Sequence, residues 1–403
     1  MTGTLDRRLG LVGSVAIGMS AMVGAGLFVV FPPAVSAAGN GLLGALALAA
    51  VVAACNAVSS ARLARRHPVA GGTYVYGRER LGPFWGHLAG WSFIAGKVAS
   101  CAAMAFALGT YLWPDHARTG ALAAVAVVTA VNLAGVERSA AVSLPLVVAV
   151  VAIVIVAAAV MSSAPGTSGP APRTTPGGVL EAAGLLFFAF AGYARLATLG
   201  EEVRDPARTI PRAIAVTFVL VLGLYVAAAL ALLHVLGAAA LSSSPRPFVT
   251  GLEDAGAQGL VPLVLVAAAL AAGGALLSLM LGVSRTVLAM ARDGHLPRHL
   301  SAVHERTRVP HVAELAVGVV VGTLVGFGDL VTSVAFSSFC VLVYYAIANA
   351  SAWTLSSVLS WRLVSAVGLA GCAVLAASLP LGSVAAGAAV VLAGAVAYTT
   401  TRS

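Results

Sequence analysis

The feature that most constrains this chain is a series of apolar segments, each about as long as a membrane-spanning helix. A hydrocarbon core about 30 Å thick needs about 20 consecutive apolar residues to span it as a helix. We count twelve such segments, and only 9% of the residues are charged, against about 25% in soluble domains. The sequence therefore predicts an all-α polytopic membrane protein. The predicted spans are residues 10–37, 41–62, 83–112, 118–135, 139–162, 179–201, 211–236, 260–291, 311–328, 330–354, 359–379 and 382–400.

Arginine residues are distributed unequally between the loops on the two sides. Eighteen fall on one side and three on the other. Since cytoplasmic loops carry an excess of Lys and Arg, we expect both termini to lie in the cytoplasm. The chain is then a multi-pass protein of the cell membrane, surrounded by lipid. Its net charge of +9 reports this topology and does not indicate a nucleic-acid partner.

The first span is interrupted by glycine near its middle. Within Gly18–Phe28, Gly24 and Gly26 flank Ala25 in an otherwise apolar run. Unpaired backbone groups are costly in hydrocarbon, so a broken helix is tolerated only where it is buried in protein or lines a polar cavity. A half-helix that begins after the break would direct its free N–H groups toward the bilayer centre, a position that favours a carboxylate. The alternative is that these glycines only allow close helix packing.

A second interruption is predicted at Gly192, near the middle of the sixth span. The aromatic residues around it, Phe187, Phe188, Phe190 and Tyr193, are either packing residues or partly cavity-facing. Each interrupted span opens a block of five spans, and this pattern predicts two inverted repeats. The blocks are residues 10–162 and 179–354, followed by two accessory helices within residues 355–403.

Two cations lie inside predicted spans. Lys97, the only lysine, is fourteen residues beyond Pro83, which places it about 20 Å from that end of the helix. An ionisable residue at this depth indicates a functional site unless its charge is satisfied structurally, and both interpretations stay open. Arg195, in the sixth span, has either a gating role or an ion pair with Glu201 or Glu202.

The remaining titratable residues form no catalytic or metal-binding pattern. The four cysteines lack Cys-x-x-Cys spacing, and the histidines fall in loops or near span ends. A membrane enzyme would need convergent acids, a histidine pair or a metal at membrane depth. We therefore expect no metal, no cofactor and no enzymatic activity.

Four stretches of the sequence resemble the amino acid, polyamine and organocation transporter superfamily. They are GMSAMVGAGLF at 18–28, RRHPVAGGTYVYGRERLGPFWGHLAGW at 65–91, FFAFAGYARLATLGEEVRDPARTIPRAI at 187–214 and SRTVLAMARDGHLP at 284–297. The resemblance implies a LeuT-like fold of five plus five inverted-repeat helices with two C-terminal helices added. In that fold helices 1 and 6 are discontinuous.

The same resemblance implies a substrate site between the two interruptions. Backbone N–H groups would bind the substrate carboxylate at Val23, Gly24, Ala25 and Gly26. Backbone carbonyls would bind the α-amino group around Phe190, Ala191 and Gly192. Phe188 would take the position of an aromatic gate, with Tyr193 in the same site, and residues 68–81 would form a re-entrant loop.

Three departures from the family pattern bear on coupling. The fifth-helix lysine of proton-coupled relatives corresponds to Val150, so Lys97 is a candidate to replace it from the third helix. The acid that some cation-transporting relatives carry after the sixth-helix break corresponds to Ala194. The eighth span has only Ser278 where sodium-coupled relatives have several hydroxyl groups. Protons are therefore the candidate coupling ion, and sodium is disfavoured.

Together these features predict a secondary active amino acid transporter that works by alternating access. Lys97 and Arg195 would repel a cationic substrate, and the only acid that we place inside a span is Glu181, at a helix start. A neutral or anionic amino acid is therefore expected, with proton coupling through Lys97. The alternatives are an uncoupled exchanger or exporter, and an antiporter of cationic amino acids or polyamines. The identity of the amino acid, the direction of transport and the oligomeric state stay open.

Overall fold

The computed structural model describes residues 9–67, 71–135, 140–167, 172–197, 203–305, 307 and 309–400. Nearly all of them are helical. The helices are α1 (Leu11–Met22), α2 (Ala25–Val29), α3 (Phe31–Ala38), α4 (Leu42–Arg66), α5 (Thr73–Leu81), α6 (Pro83–Leu112), α7 (Ala117–Leu133), α8 (Ala140–Ser163), α9 (Pro176–Phe190), α10 (Ala194–Ala197), α11 (Pro206–Ser243), α12 (Pro247–Asp254), α13 (Val261–Arg292), α14 (His311–Phe327), α15 (Leu330–Trp353), α16 (Leu359–Ala377) and α17 (Leu381–Thr400).

The number of apolar helical segments agrees with the sequence. Within the described residues, eleven segments are long and apolar enough to cross a membrane, and α14 is a shorter apolar helix of 17 residues. The prediction of a polytopic all-helical protein with twelve spans is confirmed. Large aliphatic side chains such as Val219, Val319 and Leu392 are exposed on the outer helix faces. In a membrane these faces contact lipid.

The third span, α6, lies at the centre of the helix assembly. It packs against α5, α7, α13, α14, α15 and α17. Small residues occupy much of its buried surface, and Gly96 lies where a Cβ would come within 3.0 Å of the Cβ of Cys340. Small residues allow this close helix contact, which supplies van der Waals packing where lipid removes the hydrophobic driving force. The position of α6 brings its buried polar residues to the core of the molecule.

A short helix closes the arginine-rich end of the structure. The backbone N–H of Thr73, at the start of α5, donates to the Tyr344 hydroxyl at 3.1 Å. Arg78 of the same helix forms a 3.4 Å ion pair with Asp293, the residue that follows α13. Helix α5 thus joins the end of α13 to the side of α15. Residues 71–81 of the expected re-entrant segment include this helix, whereas residues 68–70 lie outside the described part of the chain.

A buried polar cluster attaches the first accessory helix. The Asn349 amide of α15 donates to Asn56 Oδ1 of α4 at 2.6 Å, and Ser59 donates to Asn349 Oδ1 at 2.7 Å. Asn56 Nδ2 in turn lies 3.3 Å from the sulfur of Cys372 in α16. Three helices are therefore joined through side chains that satisfy one another in the apolar interior.

The segment after the seventh span differs from expectation. The sequence predicts a solvent loop over residues 237–259, but helix α11 continues to Ser243 and is followed by α12. Helix α11 is kinked at Gly237, whose φ of 68° is a left-handed conformation that a glycine adopts without strain. Beyond it the chain turns back, and Phe248 and Leu252 of α12 are fully buried. The glycine and proline residues of this segment mark bends between buried helices.

Candidate substrate site

The first span is broken where the glycine pattern predicts. Helix α1 ends at Met22, and the helix resumes at Ala25. Val23 has φ −83° and ψ 51°, and Gly24 has φ −96° and ψ −147°, so neither residue is helical. The prediction that helix 1 is discontinuous is confirmed. The N–H groups at the start of α2 have no partner from the preceding turn, as at any helix start.

The sixth span is broken as well. Helix α9 ends at Phe190, a single turn of 3-10 helix covers Ala191–Tyr193, and α10 follows over Ala194–Ala197. A turn with tighter hydrogen bonding in mid-span changes the direction in which backbone carbonyls point. The discontinuity predicted at Gly192 is therefore present, and Gly192 lies two residues after Phe190, the last residue of α9.

The two breaks lie against each other. A Cβ added to Gly192 would overlap the carbonyl oxygen of Ala21, at the end of α1. A Cβ on Gly26 would come within 3.0 Å of the Cα of Ala189, at the end of α9. Gly26 therefore allows close packing, as the alternative interpretation of the first break proposed, and Gly192 allows it at the second break. In this chain the close packing occurs at the helix breaks themselves.

A single tyrosine joins the two breaks. The hydroxyl of Tyr225, on α11, donates to the carbonyl oxygens of Met22 at 2.6 Å and of Ala189 at 3.1 Å. In an unbroken helix each of these carbonyls would accept a bond from the residue four positions later. Tyr225 is buried, and its ring also contacts Phe190, with 5.3 Å between the ring centroids. It therefore satisfies backbone groups that both breaks have released.

Other neighbouring helices supply donors to the same region. Tyr111, on α6, donates to the carbonyl oxygen of Phe28 at 3.1 Å. Tyr345, on α15, donates to the carbonyl oxygen of Ala191 at 3.3 Å. Irregular backbone at membrane depth is stable only when surrounding protein or water provides such partners. Side chains of three helices thus stabilise the broken segments.

Lys97 lies directly at the second break. Its Nζ donates to the carbonyl oxygen of Ala191 at 3.2 Å and lies 6.0 Å from the centre of the Phe93 ring. Only 6% of the residue is exposed. The sequence left open whether this buried lysine was functional or structural. The geometry places it at the carbonyl group that the resemblance assigns to the substrate amine.

The remaining predicted site residues are mostly buried around the breaks. Phe188 and Tyr193 are buried, and the Tyr193 ring lies 4.9 Å from that of Tyr345. Arg195 lies in α10 and is partly buried. Its predicted partners, Glu201 and Glu202, lie outside the described residues. The gate and ion-pair assignments stay predictions.

A small cavity lies beside the first break. Its volume is about 10 Å³, and Val23 and Val150 both line it. This is room for about one water molecule. Val150 is the position where the resemblance places a lysine in proton-coupled relatives. In this chain an apolar side chain of α8 faces the break there, and the cation comes from α6.

One buried acid was missed by the sequence analysis. Glu314, in the first turn of α14, is 0% exposed, whereas the sequence analysis considered only Glu181 as an acid inside a span. The predicted ninth span, residues 311–328, includes Glu314, but the sequence analysis did not single this residue out. The signal that could have revealed it is the short length of the ninth apolar run, which requires its first turn to lie inside the protein.

These features define a polytopic membrane transport protein, since two broken helices that meet in the interior are typical of transporter binding sites. The comparisons with known proteins agree. The model of the family "Amino acid permease" matches residues 13–401, and the chain belongs to this family. It is a transporter and not an enzyme.

Several relatives extend over most of the chain. A transporter of Mycobacterium tuberculosis strain H37Rv, described as uncharacterised, is 56% identical over 98% of this chain and 91% of its own length. The branched-chain amino acid permease of Bacillus subtilis strain 168 is 26% identical over 86% of this chain and 80% of its own. The human cationic amino acid transporter 4 is 27% identical over 86% of this chain and 59% of its own.

Proposed function

We propose that the protein is a secondary active transporter of neutral or anionic amino acids that works by alternating access. The substrate binds between the breaks of the first and sixth spans. Its carboxylate is held by N–H groups of Val23, Gly24, Ala25 and Gly26, and Phe188 closes over it. The observation that carries the proposal is the contact between the two breaks, where one hydroxyl, that of Tyr225, joins Met22 and Ala189.

The charge at the site supports the choice of substrate. The Lys97 ammonium group lies at the second break and, within the described residues, no carboxylate forms an ion pair with it. Two like charges that approach at low dielectric repel each other strongly. The relatives' names include both branched-chain and cationic amino acids. Lys97 favours the neutral or anionic class.

Lys97 also supports a coupling role. A substrate amine that approaches Ala191 meets a carbonyl oxygen to which Lys97 and Tyr345 already donate. If Lys97 releases its proton to water and its side chain moves away, the substrate amine donates to Ala191 O instead. Binding of the substrate is then linked to loss of a proton from the protein. An ionisable residue at membrane depth is suited to such a relay. We therefore propose protons as the coupling ion.

The wider organisation follows the same proposal. Residues 10–162 and 179–354 form inverted repeats of a LeuT-like fold, and residues 355–403 add two helices. Both termini lie on the cytoplasmic face of the cell membrane. Each repeat begins with a broken helix, and the two breaks pack against each other. This similarity supports the assignment.

Counterflow in proteoliposomes tests the proposed function. Vesicles that contain the purified protein are preloaded with unlabelled leucine or glutamate, and entry of the labelled amino acid is measured. A carrier gives a transient overshoot of label, whereas a channel or receptor gives none. Equal preloads of lysine and putrescine test the substrate class. A larger overshoot with either cation than with every neutral or acidic amino acid would contradict the proposal.

A matched pair of variants provides the control. Gly26→Val places a branched side chain against Ala189 and is expected to abolish counterflow. Gly223→Val lies on α11, where a Cβ would meet nothing within 4 Å, and is expected to retain it. If folded Gly26→Val retained counterflow, the substrate would not bind between the two breaks.

A further inference from the structure

A pair of buried polar residues lies apart from the two breaks, between the fourth and ninth spans. Asn132 is near the end of α7, and Glu314 is in the first turn of α14. Their exposed fractions are 1% and 0%. The Asn132 amide donates from Nδ2 to Glu314 Oε1 at 2.7 Å. The same nitrogen lies 3.4 Å from the carbonyl oxygen of Leu277, on α13.

Each residue of the pair has a second oxygen without a partner. Among the described residues, nothing donates a hydrogen bond to Glu314 Oε2 or to Asn132 Oδ1. An amide oxygen only accepts, and an ionised carboxylate also only accepts. Two acceptor oxygens of one hydrogen-bonded pair are therefore left facing a buried environment with no donor. An orphaned buried polar atom is rare in native proteins and requires an explanation.

An ionised Glu314 does not account for this arrangement. Within the described part of the chain, no Lys, Arg or His forms an ion pair with its carboxylate. A buried carboxylate without a counter-charge is strongly unfavourable, and the usual response is to take up a proton. The single hydrogen bond from Asn132 satisfies one of its two oxygens.

One proton accounts for both orphaned oxygens. A protonated carboxyl group is a donor at one oxygen and an acceptor at the other. A primary amide offers the complementary pair, with Nδ2–H as the donor and Oδ1 as the acceptor. If the proton is on Oε2, the acid donates to Asn132 Oδ1 while it accepts from Nδ2, which closes a ring of two antiparallel hydrogen bonds. No additional residue or ion is required.

We propose that Glu314 is a proton-binding site, protonated in this conformation and paired with Asn132 through two hydrogen bonds. The proton comes from water and binds one carboxylate oxygen, which neutralises the charge. This inference does not rest on the proposed function and concerns a residue that Lys97-dependent coupling does not use. Loss of the proton would break one of the two bonds between α7 and α14. The contact between these spans therefore depends on proton binding.

The position of Glu314 in its helix lowers the cost of releasing the proton. Glu314 lies in the first turn of α14, where the positive end of the helix dipole stabilises an anion. Among the elements packed against α14, α6 brings Cys101 within electrostatic range of Glu314. On α14 itself, His311 lies one turn before it and is partly buried. Helix α6 also carries three buried titratable residues, and each has a backbone partner elsewhere: Lys97 at Ala191 O, His87 at Gly394 O and Tyr111 at Phe28 O. The remaining titratable groups on the packed elements have exposed side chains and are Arg118, Arg285, Arg292, Arg298 and His299.

Infrared spectroscopy of the full-length protein in lipid nanodiscs tests this proposal directly. A protonated carboxyl group has a C=O stretching band that a carboxylate lacks. At neutral pH the wild-type protein and Glu181→Gln are expected to show this band from Glu314, and Glu314→Gln is expected to lose it. Absence of a band that depends on Glu314 at neutral pH would overturn the proposal.

Variants of the pair provide a second measurement. Gln reproduces the protonated acid, since its Nε2–H donates where the acid O–H would donate, so Glu314→Gln is expected to unfold at the wild-type temperature. Asn132→Leu removes both partners and is expected to shift the band of Glu314 and lower the unfolding temperature. If sodium or potassium chloride raised the unfolding temperature of the wild type but not of Glu314→Gln, the oxygens would hold a metal cation, and the proton assignment would be wrong.

Discussion

The ammonium group of Lys97 donates a hydrogen bond to the carbonyl oxygen of Ala191 across 3.2 Å. This relationship joins the third span to the break in the sixth span. A helix that ends at Phe190 has its negative dipole end near Ala191, and a cation is stabilised there. The lysine therefore has a structural partner and also lies where a substrate amine is expected to bind.

Substitution of this lysine tests its role in coupling. Lys97→Gln keeps a donor of similar length but cannot exchange a proton in the working range, so uptake is expected to lose its dependence on pH while the protein stays folded. The measurement is initial uptake into proteoliposomes at several pH values. The control is Cys101→Ala, one helical turn away and fully buried. An unchanged pH profile in Lys97→Gln would remove the lysine from the coupling mechanism.

Removal of the Tyr225 hydroxyl should destabilise both breaks. Tyr225→Phe leaves Met22 O and Ala189 O without this donor, and an unsatisfied buried polar group costs about 1–3 kcal/mol. The expected result is a lower unfolding temperature together with weaker substrate binding. Tyr111→Phe removes one bond, to Phe28 O, and is expected to have the smaller effect. Equal stability of the wild type and Tyr225→Phe would show that water replaces the hydroxyl.

Addition of a methyl group at the second break should prevent the two breaks from meeting. Gly192→Ala introduces a Cβ that overlaps Ala21 O, which is rigid backbone, so either the first or the sixth span must move. Overpacking of this kind typically costs about 1–3 kcal/mol. The expected outcome is loss of substrate-induced thermal stabilisation. Gly322→Ala, where nothing lies within 4 Å, is the matched control and is expected to behave as wild type.

Acid should destabilise the protein partly through His67, which follows α4. Its pKa is lowered by burial and by the nearby Arg80 and Arg66, so the unfolded chain binds a proton more readily than the folded protein. The contribution of His67 to stability is present above the unfolded pKa, about 6.5, and is lost as the pH falls below that value and through the lower folded pKa. His67→Gln is expected to lose less stability on acidification than the wild type does.

The measurement for His67 is the unfolding temperature in detergent, compared between about pH 8 and about pH 5.5, on either side of the unfolded histidine pKa. His299→Gln, at an exposed residue, is the control and should follow the wild-type profile. A His67→Gln profile that coincides with the wild type would show that this histidine does not contribute to acid sensitivity.

Much of the architecture could be predicted because the membrane restricts it. Apolar length alone predicts the twelve spans, and a glycine pair in mid-span predicts the break at Val23 and Gly24. The depth of Lys97 follows from helix rise. These features are local, so a pattern of residues along the chain determines them.

The parts that could not be predicted depend on contacts between distant segments. The partner of Lys97 is a carbonyl group 94 positions away in the chain, and Tyr225 is 203 positions from Met22. Glu314 was missed because it lies in the first turn of a predicted span, and its burial depends on the contacts of α14 with α7 and α6. Likewise, residues 237–259 are polar enough for a loop, but the fold buries Phe248 against Phe28.

The shared bond from Tyr225 restricts how the molecule can move. Because one hydroxyl on α11 bonds both Met22 and Ala189, the first and sixth spans cannot part at their breaks without losing at least one of these two interactions. Lys97 and Tyr111 belong to a different helix, α6, and their bonds to Ala191 O and Phe28 O are the ones lost if α6 moves away. In the proposed alternating-access cycle we therefore expect α6 to separate from the first and sixth spans, and Tyr225 would keep α11 attached to this pair.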